Sequence, residues 1–174
     1  ISAETFAALR TGAGTHAGDA AEGLYLRIYN YNNGTYVDSI VSITLFDTSS
    51  IDDTATIDSA TYSLYGITSV NDNTDLSLSA VVTSANPASN TAIAAADYTD
   101  HTTDMAVEYG SSRIAYSAWS TSAYNDFTVN ATGLSNISKT SITKFGFTYS
   151  ADFTNTAPSG AAGYDDLSAE SADT

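Results

Sequence analysis

The chain has 174 residues, a length typical of one domain, and it contains no cysteine, which excludes disulfides and thiolate metal sites. Its 20 acidic residues against 5 lysines and arginines give a formal net charge of −15, so nucleic acid and anionic membrane surfaces are repelled. No apolar stretch approaches the roughly 18 residues that a membrane-spanning helix needs. We therefore expect a single domain over residues 1–174 that binds no nucleic acid and does not insert into a membrane.

Alternation of apolar and polar residues with a period of two predicts β-strands along most of the chain. The runs with this pattern are residues 24–31, 40–46, 56–65, 75–83, 114–117, 125–130 and 144–150. Short helical turns are expected at residues 91–98 and 132–139, a strand or arm at residues 1–22, and a loop-like C-terminal segment at residues 153–174. The predicted fold class is all-β, an antiparallel β-sandwich or jelly roll with one or two short helical turns and less than about 12% helix.

The apolar positions of these runs predict which side chains form the core between the two sheets of such a sandwich. They are Leu26, Ile28, Ile43, Leu45, Ile57, Leu64, Leu78, Val82, Phe127, Phe145 and Phe147.

Residues 39–66 read SIVSITLFDTSSIDDTATIDSATYSLYG. This segment resembles the core of DNRLRE-type β-sandwich domains, a carbohydrate-binding-module-like group. The matching phrases are Phe46-Asp47, Ser49-Ser50-Ile51, Ala55-Thr56-Ile57, Ser59-Ala60 and Leu64-Tyr65. Residues 88–98 and 115–147 are similar to structural or surface proteins of bacteriophages. The resemblance implies a β-sandwich that serves as a non-catalytic part of virion proteins, surface adhesins or polysaccharide-handling enzymes.

No catalytic fingerprint is present, so we expect the chain not to be an enzyme. The two histidines, His16 and His101, each stand in a polar, loop-like stretch without a neighbour at metal-ligand or catalytic-triad spacing. The aspartates cluster where the pattern predicts turns, a position that favours Asp for its bonds to the backbone. These clusters are Asp52-Asp53, Asp165-Asp166 and Asp97/Asp100/Asp104.

One run offers oxygen ligands at alternating positions, as calcium loops do. It consists of Asn71, Asn73 and Asp75, and it lacks the glycine and the glutamate of an EF-hand. A plain turn between strands is the favoured interpretation and a calcium site the alternative. No other cofactor is expected.

The most informative surface feature is a run of aromatic residues on the outward face of the first predicted strand. Tyr25, Arg27, Tyr29 and Tyr31 share that face, and Tyr36 follows nearby. Tyrosine suits binding because a flat apolar ring carries a polar tip. Three interpretations remain open: the face is covered by the second sheet or a loop, it contacts a neighbouring subunit, or it stacks on sugar rings.

DNRLRE-type domains generally end in one more strand, and no such strand is expected before Thr174. A sandwich that lacks a strand has an open edge, which another copy can fill. Residues 2–10 are a candidate donor strand, with Phe6 and Leu9 as the inserted side chains. The alternatives are that the sequence is cut short, or that the fold closes without this strand.

The leading hypothesis for function is a structural or adhesive subunit of an extracellular assembly, such as a virion surface, a fibre or a cell-surface filament. Its partners would be copies of itself or other surface or virion proteins. The alternative is a carbohydrate-binding module whose partners are glycans, and the third hypothesis is a polysaccharide hydrolase.

Overall fold

The computed structural model describes residues 3–18, 23–32, 34–72 and 78–170, and it confirms the predicted all-β sandwich. Strand accounts for 41% and helix for 14%, slightly above the predicted share of helix. The nine strands within these residues are β1 Leu24–Asn32, β2 Thr35–Ile40, β3 Ser42–Asp47, β4 Thr61–Asn71, β5 Ser79–Ser84, β6 Ile114–Ala115, β7 Tyr124–Thr128, β8 Ile142–Tyr149 and β9 Gly163–Ala169. The α-helices are α1 Phe6–Thr11, α2 Asp97–Asp104, α3 Ala131–Ser135 and α4 Ser150–Phe153, and Tyr116–Ala118 form one turn of 3₁₀ helix.

The strands form two antiparallel sheets. One has five strands in the order β2-β1-β9-β4-β7, and the other has four in the order β3-β8-β5-β6. The chain crosses between the sheets at Val41, directly from β2 into β3. None of the helices in the described part of the chain has the length and apolar character needed to cross a lipid bilayer.

The core lies between the sheets and is dominated by aromatic rings. Tyr62 on β4 packs edge-on against Phe145 on β8, with ring centroids 5.7 Å apart, and Phe127 packs against Phe147 at 6.0 Å. Edge-to-face pairs of this kind contribute beyond the area that they bury. Eight predicted core residues are confirmed as buried: Leu26, Ile28, Leu64, Leu78, Val82, Phe127, Phe145 and Phe147.

The prediction for the other three was wrong. On β3, Ser42 lies opposite Phe147 and Thr44 opposite Phe145, so these polar residues share the inner face and Ile43 and Leu45 point away from it. Both faces of this strand carry apolar residues, and alternation alone therefore could not assign them. Ile57 is half-buried and precedes β4, in a segment without strand pairing.

The chain covers the outer face of its own four-stranded sheet. Val81, Thr83 and Thr148 lie on this outer face and are fully buried. The end of α2 packs so closely here that a methyl group built on Gly146 would lie 2.9 Å from Met105 Cγ. Only glycine leaves room for this contact, so the cover of helices and loops is part of the fold.

The N-terminal segment also packs onto its own chain. Glu4 pairs with Tyr36 through two backbone hydrogen bonds, and the Phe6 ring packs against Tyr36 at 5.5 Å. Arg10 Nε donates to the buried Asp152 carboxylate at 2.9 Å. Residues 6–11 are helical, which corrects the expected strand over residues 1–22. Phe6 is buried in its own core and Leu9 packs against that core, so they are not inserted side chains of a donated strand.

The C-terminal segment holds the largest correction. The prediction of a loop-like C-terminal segment was wrong for residues 163–169, because they form β9, which pairs with both β1 and β4 at the centre of the five-stranded sheet. Leu167 and Ala169 point inward and are fully buried. β9 is therefore a strand that the sequence analysis did not predict. Because it is paired on both sides, the open edge on which the strand-donation hypothesis relied does not exist at this position.

The central position of β9 predicts that Leu167→Ala destabilises the protein by about 2–5 kcal/mol, because it leaves a cavity in a packed core. Ile67→Ala is the matched control, since Ile67 is 49% exposed and its truncation should change stability by about 0.5 kcal/mol or less. Denaturant unfolding followed by circular dichroism measures both. Equal unfolding midpoints for Leu167→Ala and the parent would contradict the central placement of β9.

Candidate functional site

The outer face of the five-stranded sheet carries half of the 12 tyrosines of the chain. We call this surface the tyrosine face, and its tyrosines are Tyr25, Tyr29, Tyr31, Tyr65, Tyr124 and Tyr164. It arises because side chains alternate across each strand, so the residues beside the buried Leu26, Leu64 and Leu167 point outward. Five of the eight exposed large apolar or aromatic side chains in the described part of the chain belong to it.

Two aromatic pairs occupy opposite ends of the tyrosine face. Tyr29 on β1 lies directly across from Tyr164 on β9, with ring centroids 6.3 Å apart. Tyr65 on β4 lies across from Tyr124 on β7, with centroids 5.4 Å apart. Because Tyr65 bonds to Glu170, six residues beyond Tyr164, the pairs are separated by about 20 Å along β9.

An ion cluster lies next to the first aromatic pair. The Arg27 guanidinium contacts Asp166 Oδ2 at 2.6 Å and Asp38 Oδ2 at 4.0 Å, and it stacks over the Tyr164 ring at 5.8 Å. The hydrogen bond to Asp166 raises the pKa of Arg27, so its charge is fixed. Burial raises the pKa of Asp38, and the neighbouring Asp166 carboxylate raises it further, while Arg27 opposes both effects. The single positive charge of Arg27 therefore lies beside two carboxylates, those of Asp166 and Asp38.

The structure places the predicted aromatic strand as expected, with one exception. Tyr29 and Tyr31 are exposed, and Tyr25 and Arg27 are half-buried on the same face. Tyr36, in contrast, is fully buried and donates a hydrogen bond to the Pro158 carbonyl, so its assignment to the binding surface was wrong. The cause is a bulge: Tyr29 pairs with Asp38 but Asn30 pairs with Tyr36, and the extra residue turns Tyr36 inward.

The sequence prediction missed the tyrosines that other strands bring to this face. Tyr65 follows the alternation of β4, in which Tyr62 and Leu64 point inward, so its outward direction was readable from the pattern. Tyr124 precedes the predicted strand, and Tyr164 lies in the segment interpreted as a loop. Their assembly beside Tyr29 depends on long-range strand pairing, which no local pattern encodes.

Among the described side chains, three other sets of candidate residues do not come together as a site. His16 is exposed, and the side chain of His101 lies outside the described residues. Asp52 accepts bonds from the Thr54 backbone and hydroxyl at 2.7 and 2.6 Å, which confirms its role in a turn. Asp97 is buried and accepts from the Ala88 and Ala94 amides at 3.0 and 2.7 Å, so it organises a loop.

Asp165 and Asp166 were expected in a turn, but they lie within β9. Among the described residues, no group of three or more His, Asp or Glu side chains is placed to hold a metal ion. Of the calcium candidates, Asn73 and Asp75 lie outside the described residues, and Asn71 ends β4 with its side chain likewise outside them.

A shallow, open depression of about 430 Å³ lies between α3 and the segment before β4. Apolar side chains, among them Ile57, Leu134 and Ile137, line most of it. Its single titratable residue, Lys139, donates to the Asp53 and Ala55 carbonyls. The other polar side chain in its lining, Ser135, donates its hydroxyl to the Thr132 carbonyl at 2.8 Å.

No family model, curated protein or solved structure matches this chain.

Burial raises the pKa of each of the six tyrosines that lie outside the tyrosine face. They are Tyr36, Tyr62, Tyr98, Tyr109, Tyr116 and Tyr149. The pKa of Tyr98 rises to about 12. The unfolded chain, with phenol pKa values near 10, therefore loses protons before the folded chain does.

We predict that ionisation of these phenols leaves the free energy of unfolding unchanged below about pH 10. Between about pH 10 and 12 the free energy of unfolding should fall, because the unfolded state then binds fewer protons than the folded state. Absorbance at 295 nm and circular dichroism, recorded together during an alkaline titration, test this. The six interior phenols should ionise only as the fold is lost. Complete ionisation of all tyrosines with an unchanged circular dichroism spectrum would contradict the assignment.

Proposed function

We propose that the chain is a non-catalytic structural or adhesive subunit of an extracellular assembly, such as a virion surface, a fibre or a cell-surface filament, and that it self-associates through the tyrosine face. The observation that carries this proposal is the asymmetry of the sandwich. The outer face of the four-stranded sheet is covered by helices and loops of the same chain, whereas that of the five-stranded sheet presents exposed tyrosines.

The composition and size of the tyrosine face support a protein partner. Tyrosine and arginine are enriched where protein surfaces meet and supply most of the binding energy there. Five strands about 4.8 Å apart and about seven residues long span roughly 24 by 23 Å. A flat face of this extent is on the order of the ~800 Å² that each partner buries in a standard interface.

The absence of catalysis is part of the proposal. Among the carboxylates that the sequence singled out, Asp52 caps a turn, Asp97 begins α2 and binds the Ala88 and Ala94 amides, and Asp165 and Asp166 lie within β9. Each of the five lysines and arginines bonds to a carboxylate or a backbone carbonyl, as the pairs Arg113–Glu108 at 2.8 Å and Lys144–Pro87 at 2.9 Å illustrate. The lysine and arginine side chains therefore connect parts of the fold through hydrogen bonds.

Carbohydrate binding is the second candidate. The observation in its favour is the exposure of Tyr31 and Tyr124, at 59% and 66%, which leaves ring faces free to stack on sugars. The resemblance to DNRLRE-type domains points in the same direction and stays a prediction. The ligand of such a module would be a neutral glycan, because a net charge of −15 repels anionic polysaccharides.

The double substitution Tyr29→Ala and Tyr164→Ala tests the proposal, because it removes one aromatic pair and the ring over which Arg27 stacks. We expect it to weaken self-association at least about tenfold, as loss of central aromatic contacts does. Sedimentation velocity over a range of protein concentrations measures the effect. Val107→Ala is the matched control, since Val107 is 45% exposed but lies off this face.

Two results would count against self-association through this face. Equal association constants for the double variant and the parent would show that the contact lies elsewhere. A chain that stays monomeric at every concentration, yet is retained by an immobilised neutral glycan only while Tyr29 and Tyr164 are present, would establish the carbohydrate-binding candidate.

A further inference from the structure

The charge cluster in the tyrosine face has a consequence for association that rests on the proposed function. Arg27 lies between two carboxylates, Asp166 at 2.6 Å and Asp38 at 4.0 Å. With both carboxylates ionised, the cluster carries one net negative charge. Asp166 is almost fully buried, with 8% of its side chain exposed, whereas the Asp38 side chain is 43% exposed at the edge strand β2.

Pairing two copies through this face removes the ion cluster of each copy from water. A net charge is costly to desolvate, and like charges placed opposite each other across an interface add repulsion. The cost falls if each cluster becomes neutral before it is buried. Arg27 already holds Asp166 by the shorter contact, so Asp38 is the carboxylate whose charge is less well balanced.

We infer that self-association through the tyrosine face is strengthened by acid, with Asp38 as the group that takes up the proton. Protonation of Asp38 leaves a neutral Arg27–Asp166 pair and turns a repelled carboxylate into a hydrogen-bond donor. Because the paired state binds the proton more tightly than the free chain, association is favoured below the pH at which Asp38 titrates and is lost as the pH rises through it.

The surroundings of Asp38 contain few groups that compete for this role. The charged or titratable side chains that face it are Arg27 and Tyr29 from β1, Asp166 and Tyr164 from β9, and Tyr98 from α2. Burial raises the pKa of Asp38 and Asp166 raises it further, while Arg27 and the Ser39 backbone lower it, and the net direction is upward. Arg27 keeps its charge at mildly acidic pH, because its hydrogen bond to Asp166 raises its pKa.

The test compares Asp38→Asn with Asp126→Asn by sedimentation equilibrium between pH 7.5 and pH 5, at constant ionic strength. Asp126 points outward on β7, away from Arg27, so its substitution removes the same charge from the same face without touching the cluster. For the parent chain we expect association to tighten at least tenfold over this range, since each proton taken up contributes up to about tenfold per pH unit.

Asp38→Asn should associate at pH 7.5 at least tenfold more tightly than the parent and should lose most of the pH dependence, whereas Asp126→Asn should keep the parent's slope. Asp38→Ser is a second variant in case the amide disturbs folding, which denaturant midpoints will show. Equal loss of pH dependence in Asp38→Asn and Asp126→Asn would overturn the inference and leave the proposed function standing. A parent chain that never associates at any pH would overturn both.

Discussion

The insertion of β9 between β1 and β4 is the constraint on which the rest of the molecule depends. Without it, the five-stranded sheet would fall into two separate pairs, β2–β1 and β4–β7, and a two-stranded unit is at best marginally stable in water. Its inward residues, Leu167 and Ala169, close the core, while its outward residues, Tyr164 and Asp166, complete the aromatic pair and the ion cluster of the tyrosine face. The same seven-residue strand therefore determines both the stability of the fold and the existence of the candidate site.

Scarcity of positive charge shapes the surface. The chain has five lysines and arginines against 20 acidic residues, and four of the five join segments that are distant in the sequence. Arg10 joins α1 to Asp152 of α4, Arg27 joins β1 to Asp166, Lys139 joins the end of α3 to the segment before β4, and Lys144 joins β8 to Pro87. These contacts leave the rest of the protein with uncompensated negative charge. Such a surface resists non-specific association, so any contact between copies has to come from a face where charge is locally balanced and aromatic area is large. The tyrosine face supplies the aromatic area, and within its ion cluster Arg27 balances one of two carboxylates, so the remaining charge, at Asp38, is the one that proton uptake would neutralise.

Local patterns were sufficient for much of the fold. The alternation LYLRIYNY placed Leu26 and Ile28 inside and Tyr25, Tyr29 and Tyr31 outside, because aliphatic residues occupy three of the four positions on the inward face. The pattern failed where neighbours decide the outcome. β9, which reads GYDDLSA, has one large aliphatic residue and two aspartates, so its intrinsic preference for strand is weak and its pairing on both sides overrides that preference.

The bulge in β2 was equally invisible in the sequence, and it reversed the direction of Tyr36. Alternation predicts faces only while the register is unbroken, since a shift of one residue moves every side chain to the other face. For the candidate site, one strand of four could be predicted. Tyr65, Tyr124 and Tyr164 lie on the same face because strands far apart in the sequence pair with one another, and the pattern of a single strand does not predict that pairing.

Under the proposed function, copies of this chain meet through the tyrosine face, and hydroxyl-radical footprinting with mass spectrometry can detect that contact. The reaction oxidises aromatic and aliphatic side chains in proportion to their exposure, so Phe46 and Val107, exposed but off the face, serve as internal controls. We predict that oxidation of Tyr29, Tyr124 and Tyr164 at pH 5.5 is lower in a concentrated sample than in a dilute one, while oxidation of the two controls is unchanged. Protection of Phe46 or Val107, with the three tyrosines equally reactive at both concentrations, would contradict it.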